Sequence, residues 1–204
     1  MRRETLIAGL LLLTPLGAGA HPLTPGHHDR AVLVQVGDAE LRVEYTLALD
    51  GWTLAQSLVP FRKEFSTDAR PQDLYAAFAR IHGPMIAQGM LGTLGGKELQ
   101  FEYVDYQLRI EDHFRYTFRL RASFPERLGS AGQPLVVEDT NFALEPGEFR
   151  LAARGLEGVR LLQANAPTAI EDSRPIVLQE TEPEAAERLR TLCALVVQSS
   201  DKSP

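Results

Sequence analysis

Cysteine is almost missing from this chain of 204 residues, in which Cys193 is the only one. A single thiol cannot form an intramolecular disulfide, so a disulfide framework is excluded. Stability must therefore come from a hydrophobic core. Cys193 lies in an apolar stretch with helical spacing, where it is predicted to be a small buried residue of that core.

Positive charge is also scarce. Lys and Arg together number 21 against 27 Asp and Glu, which gives a formal net charge of −6. Neutralisation of phosphates supplies most of the affinity of proteins for nucleic acid, and this chain has no basic stripe. A nucleic-acid partner is therefore not expected. The apolar fraction of 44% and the charged fraction of 24% are those of an ordinary globular domain.

Catalytic motifs are missing as well. The sequence has no G-x-S-x-G elbow, since residues 129–132 have the wrong spacing, and it has no phosphate-binding glycine loop. Asp112 and His113 have the composition of a catalytic pair, but neighbouring residues in a strand point to opposite faces. A turn at this position would weaken that objection. We therefore do not predict an enzyme.

Only one long apolar run is present, from Leu6 to Leu16, and it is shorter than the roughly 18–20 residues that span a bilayer. Arg2 and Arg3 precede it and the small-residue site Ala18-Gly19-Ala20 follows it, which is the pattern of a secretory signal peptide. Residues 1–20 are therefore predicted to be removed, leaving a periplasmic or secreted protein without a membrane span. Retention of this segment as an anchor is the alternative.

Alternation of apolar and polar residues with a period of two is the clearest pattern in the remaining chain. It runs from Leu41 to Leu49 after an apolar run at 31–36, and the intervening Gly37-Asp38 predicts a hairpin turn. Long paired strands are predicted at 99–110 and 113–124. Shorter strands are predicted at 135–138, 149–153, 159–164 and 176–179.

Helical spacing occurs in two places. One helix is predicted to start at Pro71 and to break at Gly83-Pro84, where a second short helix begins, so that residues 69–91 form a helical insertion. A C-terminal amphipathic helix is predicted from Pro183 to about Val197. The expected N-caps are Asp68 and Thr181.

Together these elements predict a mainly β protein, with an immunoglobulin-like β-sandwich over residues 21–198 as its single domain. The helical insertion and the C-terminal helix are added to that sandwich. Residues 199–204 are expected to fray, and residues 51–68 carry no pattern that assigns their structure.

A row of arginines is predicted on one face of the strand at 113–124. Arg115, Arg119 and Arg121 alternate there with the apolar residues Phe114, Tyr116, Phe118 and Leu120. The row has two interpretations, an anion-binding surface or a solvated face whose arginines pair with neighbouring carboxylates. The second interpretation is favoured.

Metal binding is the sharpest chemical hypothesis. Cleavage after Ala20 would give His21 a free amine beside its imidazole, and an α-amine with a pKa of about 8 gives up its proton to a metal at little cost. Pro22 has no amide hydrogen, so only this amine–imidazole chelate is available. Such nitrogen ligands suit copper, nickel, cobalt or zinc. Further ligands are expected from His27, His28, His82 or His113, while an unliganded, solvent-exposed tail is the alternative.

Two stretches resemble a known family. The first is His21-Pro22-Leu23, which leads through His28 to paired strands ending at Asp50, and the second is Glu138-Asp139-Thr140-Asn141-Phe142 followed by Pro146-Gly147. Both resemble the extracytoplasmic domain that precedes the membrane part of bacterial nickel/cobalt transporters of the hydrogenase- and urease-accessory type. The resemblance covers the two β-rich ends and implies a sandwich-like domain on the outer side of the membrane.

Because the chain ends at Pro204 without the membrane helices of that family, the resemblance implies an accessory domain and not the transporter. The first hypothesis is an exported domain that binds or traffics a transition metal, with His21 as the primary ligand and His27 or His28 as the second. The alternative is a protein-interaction sandwich. It would dock a membrane transporter or another envelope protein through a strand edge or through the arginine-lined face.

Overall fold

The computed structural model describes residues 26–64 and 69–199. The predicted signal peptide at 1–20, His21, the predicted cap residue Asp68 and the predicted tail beyond residue 199 lie outside these ranges. The helix that begins at Pro71 has Arg70 as its N-cap, so the prediction of Asp68 as its cap is wrong. The mainly β sandwich is confirmed, with two β-sheets enclosing one core. Sheets of six and five strands in the described residues make it larger than immunoglobulin domains, which have about seven to nine strands.

The described residues form eleven β-strands and three α-helices. The helices are α1 (Gly51–Leu58), α2 (Pro71–Gln88) and α3 (Pro183–Leu189), with 3₁₀ turns at Val59–Glu64, Ile170–Asp172 and Leu178–Glu180. The strands are β1 (Asp29–Val36), β2 (Glu40–Leu49), β3 (Met90–Leu94), β4 (Lys97–Glu98), β5 (Glu102–Ile110), β6 (Phe114–Ser123), β7 (Gln133–Asp139), β8 (Glu148–Gly155), β9 (Val159–Leu162), β10 (Ile176–Val177) and β11 (Thr191–Gln198). None of the helices in the described ranges is long and apolar enough to cross a membrane.

The first sheet has the strand order β10-β8-β1-β2-β6-β5, and the second has the order β4-β3-β7-β11-β9. The predicted hairpin is confirmed as β1 and β2, closed by a hydrogen bond from the Gly37 amide to the Glu40 carbonyl (2.9 Å). The long paired strands are confirmed as β5 and β6. The pair β1–β8 is parallel, while the other pairs of these sheets are antiparallel.

The core lies between the two sheets and follows from the alternation of their strands. Most inward-facing residues are apolar on both sheets, with buried polar residues such as Arg30 and Asp139 among them, and burial of the apolar side chains supplies the main driving force for folding. Side chains with no solvent exposure include Val32, Tyr45 and Phe118 on the first sheet and Leu192 and Val196 on the second. Helix α2 packs on β5 and β6 and covers one end of this core.

The prediction of two helices broken at Gly83-Pro84 is wrong, because α2 continues through both residues to Gln88. Proline removes one backbone hydrogen bond, but packing holds the helix together. At Gly83 a Cβ atom would lie 2.6 Å from the Tyr103 ring of β5, so the helix approaches the sheet closely at that residue. His82 is therefore inside a helix and not at its end.

The prediction of a helix from Pro183 to Val197 is also wrong beyond Leu189. Residues 191–198 form β11, which lies between β7 and β9 in the second sheet. Leu192 and Val196 are four residues apart, a spacing that fits one face of a helix and one face of a strand equally well. Cys193 points away from the core and is exposed, which contradicts its predicted burial. Helix α3 starts after Glu182, so Thr181 is not its N-cap.

Candidate functional site

The described chain begins at one end of the first sheet, where β1 starts and β2 ends. Asp29 pairs with Ala48, so His28 lies beside Leu49 at this end. The Gly26 amide donates a hydrogen bond to the Thr53 hydroxyl of α1 (2.8 Å), and the His28 amide donates one to the Pro146 carbonyl (2.6 Å). These bonds fix the entry of the chain between α1 and the loop at 140–147.

Asp50 caps the N-terminus of α1. Its carboxylate accepts hydrogen bonds from the Trp52 amide (2.8 Å), the Thr53 amide (3.1 Å) and the Thr53 hydroxyl. Partial burial favours a higher pKa for Asp50, but these hydrogen bonds outweigh it and lower the pKa. A carboxylate that is ionised at neutral pH therefore stands at this end of the sheet.

His28 is buried and held in one orientation. Its ring stacks on Phe142 with 4.9 Å between centroids, and its Nδ1 lies 3.0 Å from the Gly26 carbonyl. Because a carbonyl oxygen only accepts hydrogen bonds, Nδ1 carries the hydrogen. Burial lowers the pKa of His28, and this effect exceeds the opposite effect of Glu145. At neutral pH the ring is uncharged, with its free lone pair on Nε2.

His82 has the same arrangement on α2. It stacks on Phe78 at 4.0 Å, meets Phe61 edge-on at 6.3 Å, and has its Nδ1 3.0 Å from the Phe78 carbonyl. Burial lowers its pKa, and proximity to His28 lowers it further. Two buried, neutral imidazoles therefore lie in the same neighbourhood, each with its Nε2 lone pair unprotonated.

The loop at 140–147 positions the Phe142 ring against His28. Phe142 has a positive φ of 49°, and Asn141 donates hydrogen bonds to the Ile86 carbonyl (3.0 Å) and to the Asp139 carboxylate (2.9 Å). Gly147 has a φ of +141°, and a Cβ there would lie 2.4 Å from the His28 carbonyl oxygen. The loop thus tolerates only glycine where it meets His28.

A buried polar network supports this loop. Asp139 is 1% exposed, and burial raises its pKa, although hydrogen bonds from Asn141 oppose that shift. Tyr45 donates to the Asp139 carboxylate (3.3 Å), and Arg190 donates to the Asp139 carbonyl (2.9 Å). Arg30 donates to the Asn141 carbonyl (3.0 Å) and the Phe142 carbonyl (2.6 Å). Its contacts give the network a structural role, because they fix the backbone that carries Phe142.

The predicted metal ligands are only partly brought together. His28 and His82 share the core side of the first sheet and His27 is half-buried beside His28, whereas His21 lies outside the described residues. His113 lies on the outer side of that sheet. Across residues 26–64 and 69–199, no three His, Cys, Asp or Glu side chains are grouped as a metal site. His113 is therefore not grouped with His28 and His82 among the described residues.

The structure also bears on two other predictions, the strand position of His113 and the ion pairs of the arginine face. Residues 111–113 connect β5 and β6, and the strand predicted to begin at His113 begins at Phe114, so the objection from strand geometry is weakened. The arginine face carries the predicted ion pairs at Arg119 and Arg121, but none is found for Arg115 among the described residues. Arg119 contacts Asp105 (2.5 Å) and Arg121 contacts Glu102 (3.1 Å).

Sequence reasoning missed Asp50, Phe142 and Arg30 as parts of this site. A signal for Arg30 was present, since a period of two continued backwards from Val32 places Arg30 and His28 on the buried face. A strand predicted to begin at Ala31 does not include these two residues. No comparable local signal exists for Phe142, because its contact with His28 joins residues far apart in the chain.

No protein-family model matches the chain, and no curated protein matches it. Functional inference therefore depends on the residues of the site.

Proposed function

We propose that the protein is an exported accessory domain that binds a divalent transition metal at the end of the sandwich where β1 begins. His21 is the primary ligand, His27 or His28 is the second, and His82 is a further nitrogen donor. Copper, nickel, cobalt and zinc all accept such ligands. The observation that carries the proposal is the pair of buried imidazoles whose Nε2 lone pairs are free.

The tautomer of both rings favours metal binding. Metal-bound histidines almost always donate their other ring N–H to a carboxylate or a backbone carbonyl, as Nδ1 of His28 and of His82 does here. Burial lowers the pKa of both rings, so that at neutral pH a metal need not displace a proton from them. Stacking on Phe142 and Phe78 limits the rotation of the two rings.

Chain connectivity supports a role for His21. Four residues lie between His21 and Gly26, and an extended chain spans at most about 3.6 Å per residue, so five chain steps limit their separation to roughly 18 Å. Gly26 is tied to α1 next to His28. Among the described residues, no three His, Cys, Asp or Glu side chains are grouped as a metal site. The amine and the imidazole of His21 would add two nitrogens to those of His28 and His82.

A titration of copper, nickel, cobalt and zinc tests the proposal. The protein that begins at His21 is compared with one extended by a single alanine before His21, which removes the free amine from the chelate. We expect affinity for at least one metal to fall about tenfold or more, equivalent to roughly 1.4 kcal/mol. Equal affinity of the two forms, or no binding by either, would refute the N-terminal chelate.

Two substitutions complete the design. His28→Gln removes the second nitrogen and is expected to weaken binding, while His113→Gln serves as the matched control because His113 lies on the other face of the sheet. Thermal denaturation without metal shows whether each variant is folded. A loss of affinity that is the same for both variants would contradict the assigned ligands.

A second candidate function, docking of a membrane transporter or another envelope protein, is favoured by two exposed apolar residues around the same site. Trp52 is 64% exposed in the first turn of α1, and Leu144 is 94% exposed in the loop that carries Phe142. Large exposed apolar residues are typical of interaction surfaces. Photo-crosslinkers at position 144 and, as control, at the distant exposed Glu157 test it in the native host. A partner captured equally from both positions would contradict docking at this site.

A further inference from the structure

A concave pocket of about 480 Å³ lies on the outer face of the first sheet, on the side away from His28 and His82. Its floor consists of the outward-facing Ala31 of β1 and of Thr46 and Ala48 of β2. These side chains are small, which leaves a depression between taller neighbours. The volume is within the range of small-molecule sites, about 300–1,000 Å³.

Two separate segments form the walls of this pocket. One wall is the turn at 111–113, where the Glu111 amide donates a hydrogen bond to the His113 carbonyl (3.2 Å). The other wall is formed by Ile170, in the 3₁₀ turn Ile170–Asp172, which contacts β1 and β8. Hydrogen bonds to β8 fix the chain before and after Ile170. The Ala153 amide donates to the Pro167 carbonyl (2.8 Å), and the Leu151 amide donates to the Ser173 hydroxyl (3.2 Å).

Arg115 is the cation of the pocket that lacks a partner. Farther along β6, Arg119 and Arg121 face carboxylates of β5 and pair with them. Arg115 instead faces Arg109 across the same two strands, and it makes no ion pair within the described residues. Like charges directly opposite each other in a sheet are destabilising. An anionic group bound at Arg115 would relieve this repulsion.

Carboxylates also line the pocket. Glu111 and Asp112 stand on the wall next to Arg115, and neither makes an ion pair in the described part of the chain. Asp29 and Glu148 lie on the other side, where Glu148 faces Arg150 at 3.7 Å and Asp29 accepts a hydrogen bond from the Glu148 amide (2.8 Å). The pocket thus presents an unpaired cation and unpaired anions close together.

We propose that this pocket binds a small zwitterion, a free amino acid or a short peptide, with its carboxylate on Arg115 and its ammonium group on Glu111 or Asp112. A multiply charged anion would be repelled by the four carboxylates of the lining. A divalent cation is not favoured, because no three of the described acidic and histidine side chains are grouped to hold a metal. A dipolar ligand satisfies both signs of charge.

Nuclear magnetic resonance titration of the protein beginning at His21 tests this proposal, with glycylglycine as the probe. N-acetylglycylglycine lacks the ammonium group and glycylglycine amide lacks the carboxylate, so the pair separates the two contacts. We expect saturable shifts of the backbone amides of Thr46, His113 and Arg115 with glycylglycine. The affinity for either blocked peptide is expected to be at least about tenfold lower.

Arg115→Gln is expected to abolish the shifts, while Arg119→Gln on the same strand and face is the matched control, because that arginine already has a partner. A well-dispersed spectrum of each variant shows that it is folded. No saturable shift with glycylglycine, equal binding of either blocked peptide, or unchanged binding by Arg115→Gln would each overturn the proposal.

Discussion

Replacing Gly147 by alanine tests whether the loop at 140–147 and the start of β1 form one unit. Gly147 has a φ of +141°, and an added Cβ would lie 2.4 Å from the carbonyl oxygen and 2.6 Å from the carbonyl carbon of His28. Both atoms are backbone, so no side chain can rotate to relieve the contact. The variant must shift the start of β1 or the loop.

The magnitude follows from two contributions. A backbone conformation that only glycine adopts readily costs a residue with a side chain about 1–3 kcal/mol. Moving His28 also breaks the hydrogen bond from its amide to the Pro146 carbonyl, which contributes about 0.5–1.5 kcal/mol. We therefore expect the free energy of unfolding to fall by about 2–4 kcal/mol, a large part of the roughly 5–15 kcal/mol of a typical domain.

Urea denaturation followed by circular dichroism measures this loss, with an unchanged m-value showing that the unfolding transition is otherwise the same. Gly96→Ala is the matched control. Gly96 also has a positive φ, of +79°, but a Cβ there meets nothing within 4 Å, so only the conformational cost of about 1–2 kcal/mol is expected. Equal losses for the two variants would refute the close contact of Gly147 with His28.

The remaining predictions concern pH and packing. Burial lowers the pKa of His28 and His82 in the folded protein, so these two residues bind protons more tightly in the unfolded chain. The contribution of the two histidines to the free energy of unfolding should therefore be constant above about pH 6.5 and should be lost as the pH falls through their lowered pKa values in the folded state. Urea denaturation at a series of pH values measures this loss. Leu192→Ala should lower the free energy of unfolding by about 2–5 kcal/mol, because Leu192 is buried in the core. Cys193→Ser, at the neighbouring exposed residue, should change it by less than about 0.5 kcal/mol. Equal effects of the two substitutions in thermal denaturation would contradict the strand assignment. Tyr45→Phe should cost about 1–3 kcal/mol by leaving a buried carboxylate without that donor, and a neutral result would show that this hydrogen bond contributes nothing.

The parts of the fold that follow from local sequence were predictable. The alternation from Leu41 to Leu49 and the Gly37-Asp38 turn define the first hairpin without reference to the rest of the chain. The last strand was not predictable in this way. Leu192 and Val196 fit a helix as well as a strand, and the choice is made by β7 and β9, which pair with β11 on both sides.

The candidate site was less predictable than the fold. The sequence identified His28 and His82 as ligand candidates but gave no reason to place them near each other, since α2 reaches His28 only through the packing of the whole sandwich. Asp50 fits the pattern of an N-cap only once the helix after it is recognised. The pocket at Arg115 depends on which residue of β5 faces it, and that register is set by pairing along the entire strand.

The parallel pairing of β1 with β8 has a consequence for the order in which the molecule is assembled. Asp29 and Glu148, which meet at the start of the two strands, are separated by 119 residues. β1 emerges early in synthesis, but one of its two edges stays open until more than half of the chain has followed. Contacts of such long range slow the search for the native state. The backbone groups on the edge of β1 that later pairs with β8 are therefore open to other nascent chains during that interval.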